Sequence, residues 1–154
     1  MKSQGIRIED KVNNVVNVGL LDILKEIEKG YSFYWSILFL DFIGNLGENR
    51  PNPSFSYEIN ESKNGFRIGW MDLNSLSSNC EQIIDIIVLG CKDQEFLKRY
   101  EDDQEMYETC DFVIEMVDST FWEVFSKDES LIKRLAAKFK TVEFLETNYK
   151  ENFY

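Results

Sequence analysis

The sequence predicts an α+β fold: a single domain built on one mixed, mostly antiparallel sheet with helices packed against it. Three observations carry that expectation. Runs of period-two apolar alternation are interleaved with runs of helical spacing, in the rough order α-β-β-β-α-β-α-β-β-α-β. Near the C-terminus the turn between two β-prone runs is too short for a crossover, so those strands pair antiparallel. The 154 residues, 44% hydrophobic and 14% aromatic with only two prolines, describe one globular domain spanning 1–154 whose core needs no disulfide or metal staple.

Taken in order, Gly5 to Ile8 reads as a short edge strand. Val16, Leu20, Ile23, Leu24 and Ile27 mark one face of an amphipathic helix that starts at Asn17 and stops at Gly30. Ser32 to Ile43, rich in aromatic and β-branched residues, reads as a central strand, and Gly44 to Pro53 as a loop. Phe55 to Ile59 and Phe66 to Met71 read as two strands joined by a hairpin over Asn60 to Gly65. Asp72 caps a short helix bearing Leu73, Leu76, Cys80 and Ile83. Ile84 to Leu89 follows as a strand, with continuation of that helix as the alternative, and Gln94 to Tyr107 as helix broken near Asp102-Asp103.

The clearest local signals lie between Cys110 and Glu146. Phe112, Ile114 and Met116 alternate with Val113, Glu115 and Val117, which predicts a strand buried on both faces. Asp118-Ser119 predicts a turn, and Phe121 to Phe125 a second strand. Ser126 with Glu129 matches a capping box, with Ser126 as N-cap. Leu131, Ile132, Leu135, Ala136 and Phe139 then follow at helical spacing, and Val142 and Phe144 close as a strand.

Several chemistries find no residues to work with. The chain has no histidine, so Ser-His-Asp and Cys-His catalysis within it are excluded. No phosphate-binding glycine loop or calcium-loop spacing occurs. Three cysteines, Cys80, Cys91 and Cys110, include no CxxC pair and read as reduced thiols. No cofactor and no metal are expected. The N-terminal stretch lacks the apolar core of a signal peptide, and the longest apolar run, around Ile37 to Leu40, is too short to span a bilayer, so a cytoplasmic location is expected. A net charge of −11 disfavours nucleic acid and anionic membrane as partners and favours a basic protein.

Two carboxylates, Asp41 and Asp85, sit inside apolar runs, the setting in which acid–base chemistry would arise; an exposed strand face or the end of an element is the favoured account of both. Tyr31, Phe33, Tyr34, Trp35, Phe39 and Phe42 read as core residues of a strand before they read as a pocket lining. The sharper signal is charge placement. Asp93, Glu95, Glu101, Asp102, Asp103, Glu105, Glu108, Asp111, Glu115 and Asp118 are opposed only by Lys98 and Arg99, giving this segment a net charge of −8. A solvated helix face would look the same. Clustered like charges cost stability, however, and such a surface speeds encounter with a cationic partner. The seven acids from Asp93 to Glu108 are the candidate partner-binding residues.

A small acidic α+β chain without a catalytic set resembles the immunity proteins of bacterial contact-dependent growth inhibition and polymorphic toxin systems. The run CDFVIEMVDSTFWEVFSKDESLIKRLAAKF also resembles the C-terminal half of a family of small bacterial proteins. The likeness covers Cys110 to Phe139 and is structural: strand, Asp-Ser turn, aromatic strand, capped helix. It implies a cytoplasmic inhibitor that occludes a basic toxin domain, often a nuclease, without turnover, and it carries over no binding residue. Two other readings stand beside it: a structural or regulatory module that self-associates, and an enzyme using Asp or Glu alone. The oligomeric state is left open.

Overall fold

Seven antiparallel strands organise the chain in the computed structural model, which describes residues 2–44 and 53–147. In chain order the elements are β1 (Gln4–Ile8), β2 (Lys11–Val12), β3 (Val15–Val16), α1 (Leu20–Leu24), β4 (Tyr34–Ile43), α2 (Ser54–Asn60) and β5 (Phe66–Ile68). There follow α3 (Trp70–Asn79), β6 (Gln82–Cys91), α4 (Asp103–Thr109), β7 (Phe112–Val117), β8 (Phe121–Ser126), α5 (Glu129–Lys138) and β9 (Val142–Glu146). The sheet order is β5-β4-β6-β7-β8-β1-β9; β2 and β3 form a separate two-stranded ribbon. This is the predicted α+β class, with every ladder among the described residues antiparallel rather than mixed.

The register sorts side chains onto two faces. Ile37, Val88, Ile114, Val124 and Ile6 line up across five strands and form one core with apolar residues of α1, α2, α3 and α5. Leu89, Val113, Phe125 and Leu145 face the other way and are covered by Leu97, Met106 and Tyr107. Tyr107 of α4 stacks on Phe125 with ring centroids 3.8 Å apart. The first core is pinned by Trp35, whose ring lies between Trp70 and Phe112 at 4.9 and 5.3 Å. A Cβ at position 90 would lie 2.5 Å from the Trp35 ring and one at position 30 would lie 2.3 Å from that of Trp70, so both positions hold glycine.

Several expectations are corrected. β1 is not an edge strand; it lies between β8 and β9, because Ile6 and Ile8 complete the first core. The predicted helix from Asn17 shrinks to α1. Val15 and Val16 are drawn into the ribbon by a turn at Asn13 and Asn14, both at positive φ, and Gly19 takes the N-cap place. Phe55 to Ile59 is helix, not strand: Phe55 and Ile59 fall on one buried side, and Tyr57 and Glu58 face solvent. The Asn60 amide accepts a hydrogen bond from the Leu40 backbone N–H (2.9 Å) and donates to the Leu40 carbonyl (3.3 Å). It thereby substitutes for a strand partner where β5, paired only from Trp35 to Ile37, has ended. Asn60 to Gly65 therefore joins a helix to a strand rather than two strands. Met71 belongs to α3, which begins at Trp70, so Asp72 lies in its first turn instead of capping it.

The Gln94 to Tyr107 segment resolves into a 3-10 turn at Gln94–Phe96, an irregular stretch, and α4 beginning at Asp103 with Asp102 as its cap. The predicted loop over Gly44 to Pro53 lies outside the described residues except at its two ends. From Cys110 onward the order strand, turn, strand, helix, strand stands as expected, with Asp118 and Ser119 both at positive φ in the turn. The cap is displaced by two residues. Asp128 is the N-cap, its Oδ1 accepting from Ser130 and Leu131 N–H, while Ser126 ends β8 and its Oγ accepts from Asp128 N–H.

Candidate functional site

The seven candidate residues Asp93, Glu95, Glu101, Asp102, Asp103, Glu105 and Glu108 are all exposed and lie on the layer that covers the second face of the sheet. Asp93 and Asp102 order the backbone after them. Asp93 Oδ1 accepts from Glu95 N–H and heads the 3-10 turn; Asp102 Oδ1 accepts from Gln104 N–H and caps α4. Asp103 and Glu105 sit in the first turn of α4, where the positive end of the helix favours carboxylates and offsets part of their mutual repulsion. Glu108 accepts from Gln104 across one helical turn. None of the ion pairs among the described residues engages Glu95, Glu101 or Glu105.

The two bases of this segment are turned to local use. Arg99 donates to the Ile59, Asn60 and Ser62 carbonyls and to Ser62 Oγ, at 2.9 to 3.4 Å. Its guanidinium thus closes the C-terminal end of α2, whose last carbonyls lack helical partners. Lys98 lies 5.1 Å from the centre of the Tyr100 ring. Neither cation is interleaved with the exposed acids as a regular i,i+4 network.

The remaining acids of the −8 segment behave differently. Asp118 is exposed at the β7–β8 turn. Asp111 is partly buried and accepts from Lys92 N–H. Glu115 is buried in β7 directly opposite buried Glu123 of β8, in a transverse row that continues through Arg7 to Glu143. Sequence patterning did place Glu115 on a strand buried on both faces, and that signal outranks its membership in the charge run.

Asp41 and Asp85 prove to be cross-strand partners on β4 and β6, beside a register shift. Asp41 is exposed, and Asp85 Oδ1 accepts from Asp118 N–H at 2.8 Å, tying β6 to the turn. Neither lines either of the two clefts discussed below. Of the aromatic set, Trp35 and Phe42 are core, Phe33 is half-buried, and Tyr31, Tyr34 and Phe39 are exposed.

One cleft, about 340 Å3, opens between residues 15–20 and residues 80–83 and reaches Trp122. Its thiol, Cys80, is pushed up to about 11 by burial, which makes it a poor nucleophile at neutral pH. A second cleft, about 590 Å3, lies where β6 and β8 end and β7 begins, and Asp93 stands in its lining. Sequence reading missed it, because its walls come from five separated stretches of chain.

Cys91 and Cys110 are free, buried thiols of the second core. The Cys91 thiol donates toward Cys110, which drives its own pKa far upward and holds Cys110 below the ordinary thiol range; Cys110 Sγ lies 3.8 Å from the Tyr100 hydroxyl, which donates to the Phe96 carbonyl. Among the described residues no group of three or more Cys, Asp or Glu side chains is placed to hold a metal ion, and no helix is long and apolar enough to cross a membrane. No family model, no curated protein and no solved structure matches this chain.

Proposed function

We propose that this chain is an immunity-type protein of the cytoplasm that binds a basic bacterial toxin domain and blocks it by occlusion. The observation that carries the reading is the disposition of charge on residues 93–108. Seven carboxylates are exposed on one layer, and the segment's Arg99 is turned onto the end of α2. The negative surface is anchored by Tyr107 on Phe125 and by Arg99 on α2, so it meets a partner without first paying to order itself. Its charges would raise the association rate and reject anionic partners.

The test spares the two capping aspartates. Glu95→Lys, Glu101→Lys and Glu105→Gln together remove the charges that no described contact uses. Binding of a candidate basic toxin domain is measured by surface capture at low and high salt, alongside protection of cells expressing that domain. The expected outcome is association slowed at least tenfold at low salt, a flatter salt dependence and lost protection. A variant that binds and protects like the parent at both salts would reduce this segment to a solvated face.

A further inference from the structure

We propose that the cleft at the end of the sheet receives an arginine side chain projected by the protein partner. The inference rests on the binding reading above and names a point of contact within it. The cleft's floor is apolar: Phe112 is buried, and Phe33 meets it edge to face at 4.9 Å. Phe96 stands at the wall, 37% exposed. Around these rings lie four carboxylates, Glu28, Asp93, Asp111 and Asp128, against two ammonium groups, Lys92 and Lys127.

Four carboxylates against two ammonium groups leave the lining negative by two, and one of the ammonium groups is engaged by the backbone. The Lys127 ammonium donates to the Thr109 carbonyl at 2.9 Å, at the end of α4. Asp93 and Asp128 each spend one oxygen, Oδ1, on the backbone N–H groups of the turn that follows. Their second oxygens are not used in those turns. Arg134, outside the lining, lies 3.6 Å from Glu28 and 3.9 Å from Asp128 and offsets part of their charge, while its guanidinium donates to the Glu26 carbonyl at 2.7 and 3.2 Å.

Aromatic rings among several carboxylates suit a guanidinium better than an ammonium. The planar group stacks on a ring while its fork of N–H donors meets carboxylate oxygens in pairs. A cleft of about 590 Å3 lies within the usual size of side-chain and small-ligand sites. It is also continuous with the acidic segment through Asp93, so an arginine drawn by that surface has a place to dock.

The test uses the full chain and three blocked pentapeptides, Gly-Gly-Xaa-Gly-Gly with arginine, lysine or citrulline at the centre, titrated while backbone amide resonances are followed. The arginine peptide is expected to shift the Lys92–Phe96, Asp111 and Lys127–Asp128 amides saturably. Lysine should bind several-fold more weakly, and neutral citrulline should leave them unmoved. Glu28→Gln with Asp93→Asn and Asp128→Asn keeps the capping acceptors but removes three charges, and should weaken the arginine peptide at least tenfold; Phe96→Ala, at an exposed wall, checks the same point should the triple variant unfold. Equal binding of arginine and citrulline, shifts spread evenly over residues 93–108, or unaltered binding by both variants would overturn the proposal. So would concentration-dependent shifts of the same amides without peptide, which would assign the cleft to a second copy. A toxin domain that binds these variants normally but loses the E95K/E101K/E105Q protein refutes the cleft and keeps the function. Peptide binding at the cleft with no toxin protection does the reverse.

Discussion

Arg7 of β1 grips Glu123 of β8 through a single carboxylate oxygen: Nε and Nη2 both donate to Oε2, at 3.0 and 2.8 Å, and Glu123 is 1% exposed. The Arg7 guanidinium also lies 4.4 Å from the centre of the Phe121 ring. On its other side Arg7 reaches the exposed Glu143 only at 3.9 Å. Breaking a buried pair is costly, whereas an exposed pair is worth little. Arg7→Leu should therefore cost about 3 kcal/mol in urea denaturation, and Glu143→Gln less than about 1 kcal/mol. Leu at both 7 and 123 should recover much of the loss. Equal effects of Arg7→Leu and Glu143→Gln would count against the pair as a buried one.

The start of α5 gives a second prediction. Asp128 caps the helix and Ser126 supports Asp128. Asp128→Ala should cost about 0.5–2 kcal/mol and speed hydrogen exchange at the Ser130 and Leu131 amides. Ser126→Ala should speed exchange at Asp128 instead. If Ser126→Ala alone opened the Ser130 and Leu131 amides, Ser126 would be the cap after all.

Cys80 gives a third, in pH. Burial raises its thiol from an ordinary value near 9 to about 11. In the unfolded chain it loses its proton first, so the folded state binds more protons between those values. The stability that this thiol contributes is fully present below pH 9 and falls as pH rises towards 11. Cys80→Ser should flatten that part of the stability profile, and the share of native thiolate absorbance that this variant removes should rise nearer pH 11 than 9. A profile identical in parent and variant would refute the linkage.

How much of this was legible depends on how local the deciding physics is. The candidate acids were readable as exposed because charged residues outnumber apolar ones through 93–105 and because Asp102 and Asp103 stand where a helix can begin. Glu115 belongs to the −8 segment although its strand pattern buries it, since charge counting ignores which face a residue takes. The second cleft could not be read at all. Phe33, Phe96 and Phe112 are distant in sequence, and only the meeting of three strand ends brings them together.

Residues 110–146 determined their own structure. Alternation over Phe112–Val117, a turn that tolerates positive φ, and apolar spacing through Leu131 and Leu135 all favour the same elements, so no distant contact had to choose. Elsewhere tertiary structure decided. Phe55 to Ile59 carries β-prone residues in a window of five, too short for either period to dominate, and became helix where its two apolar side chains and Asn60 could close the open edge of β4. β1 reads as an edge by its length, yet lies inside the sheet because β9 returns after α5 to pair with it. Short segments lack the internal hydrogen bonds to fix their own state; the groups left unpaired by their neighbours fixed it for them.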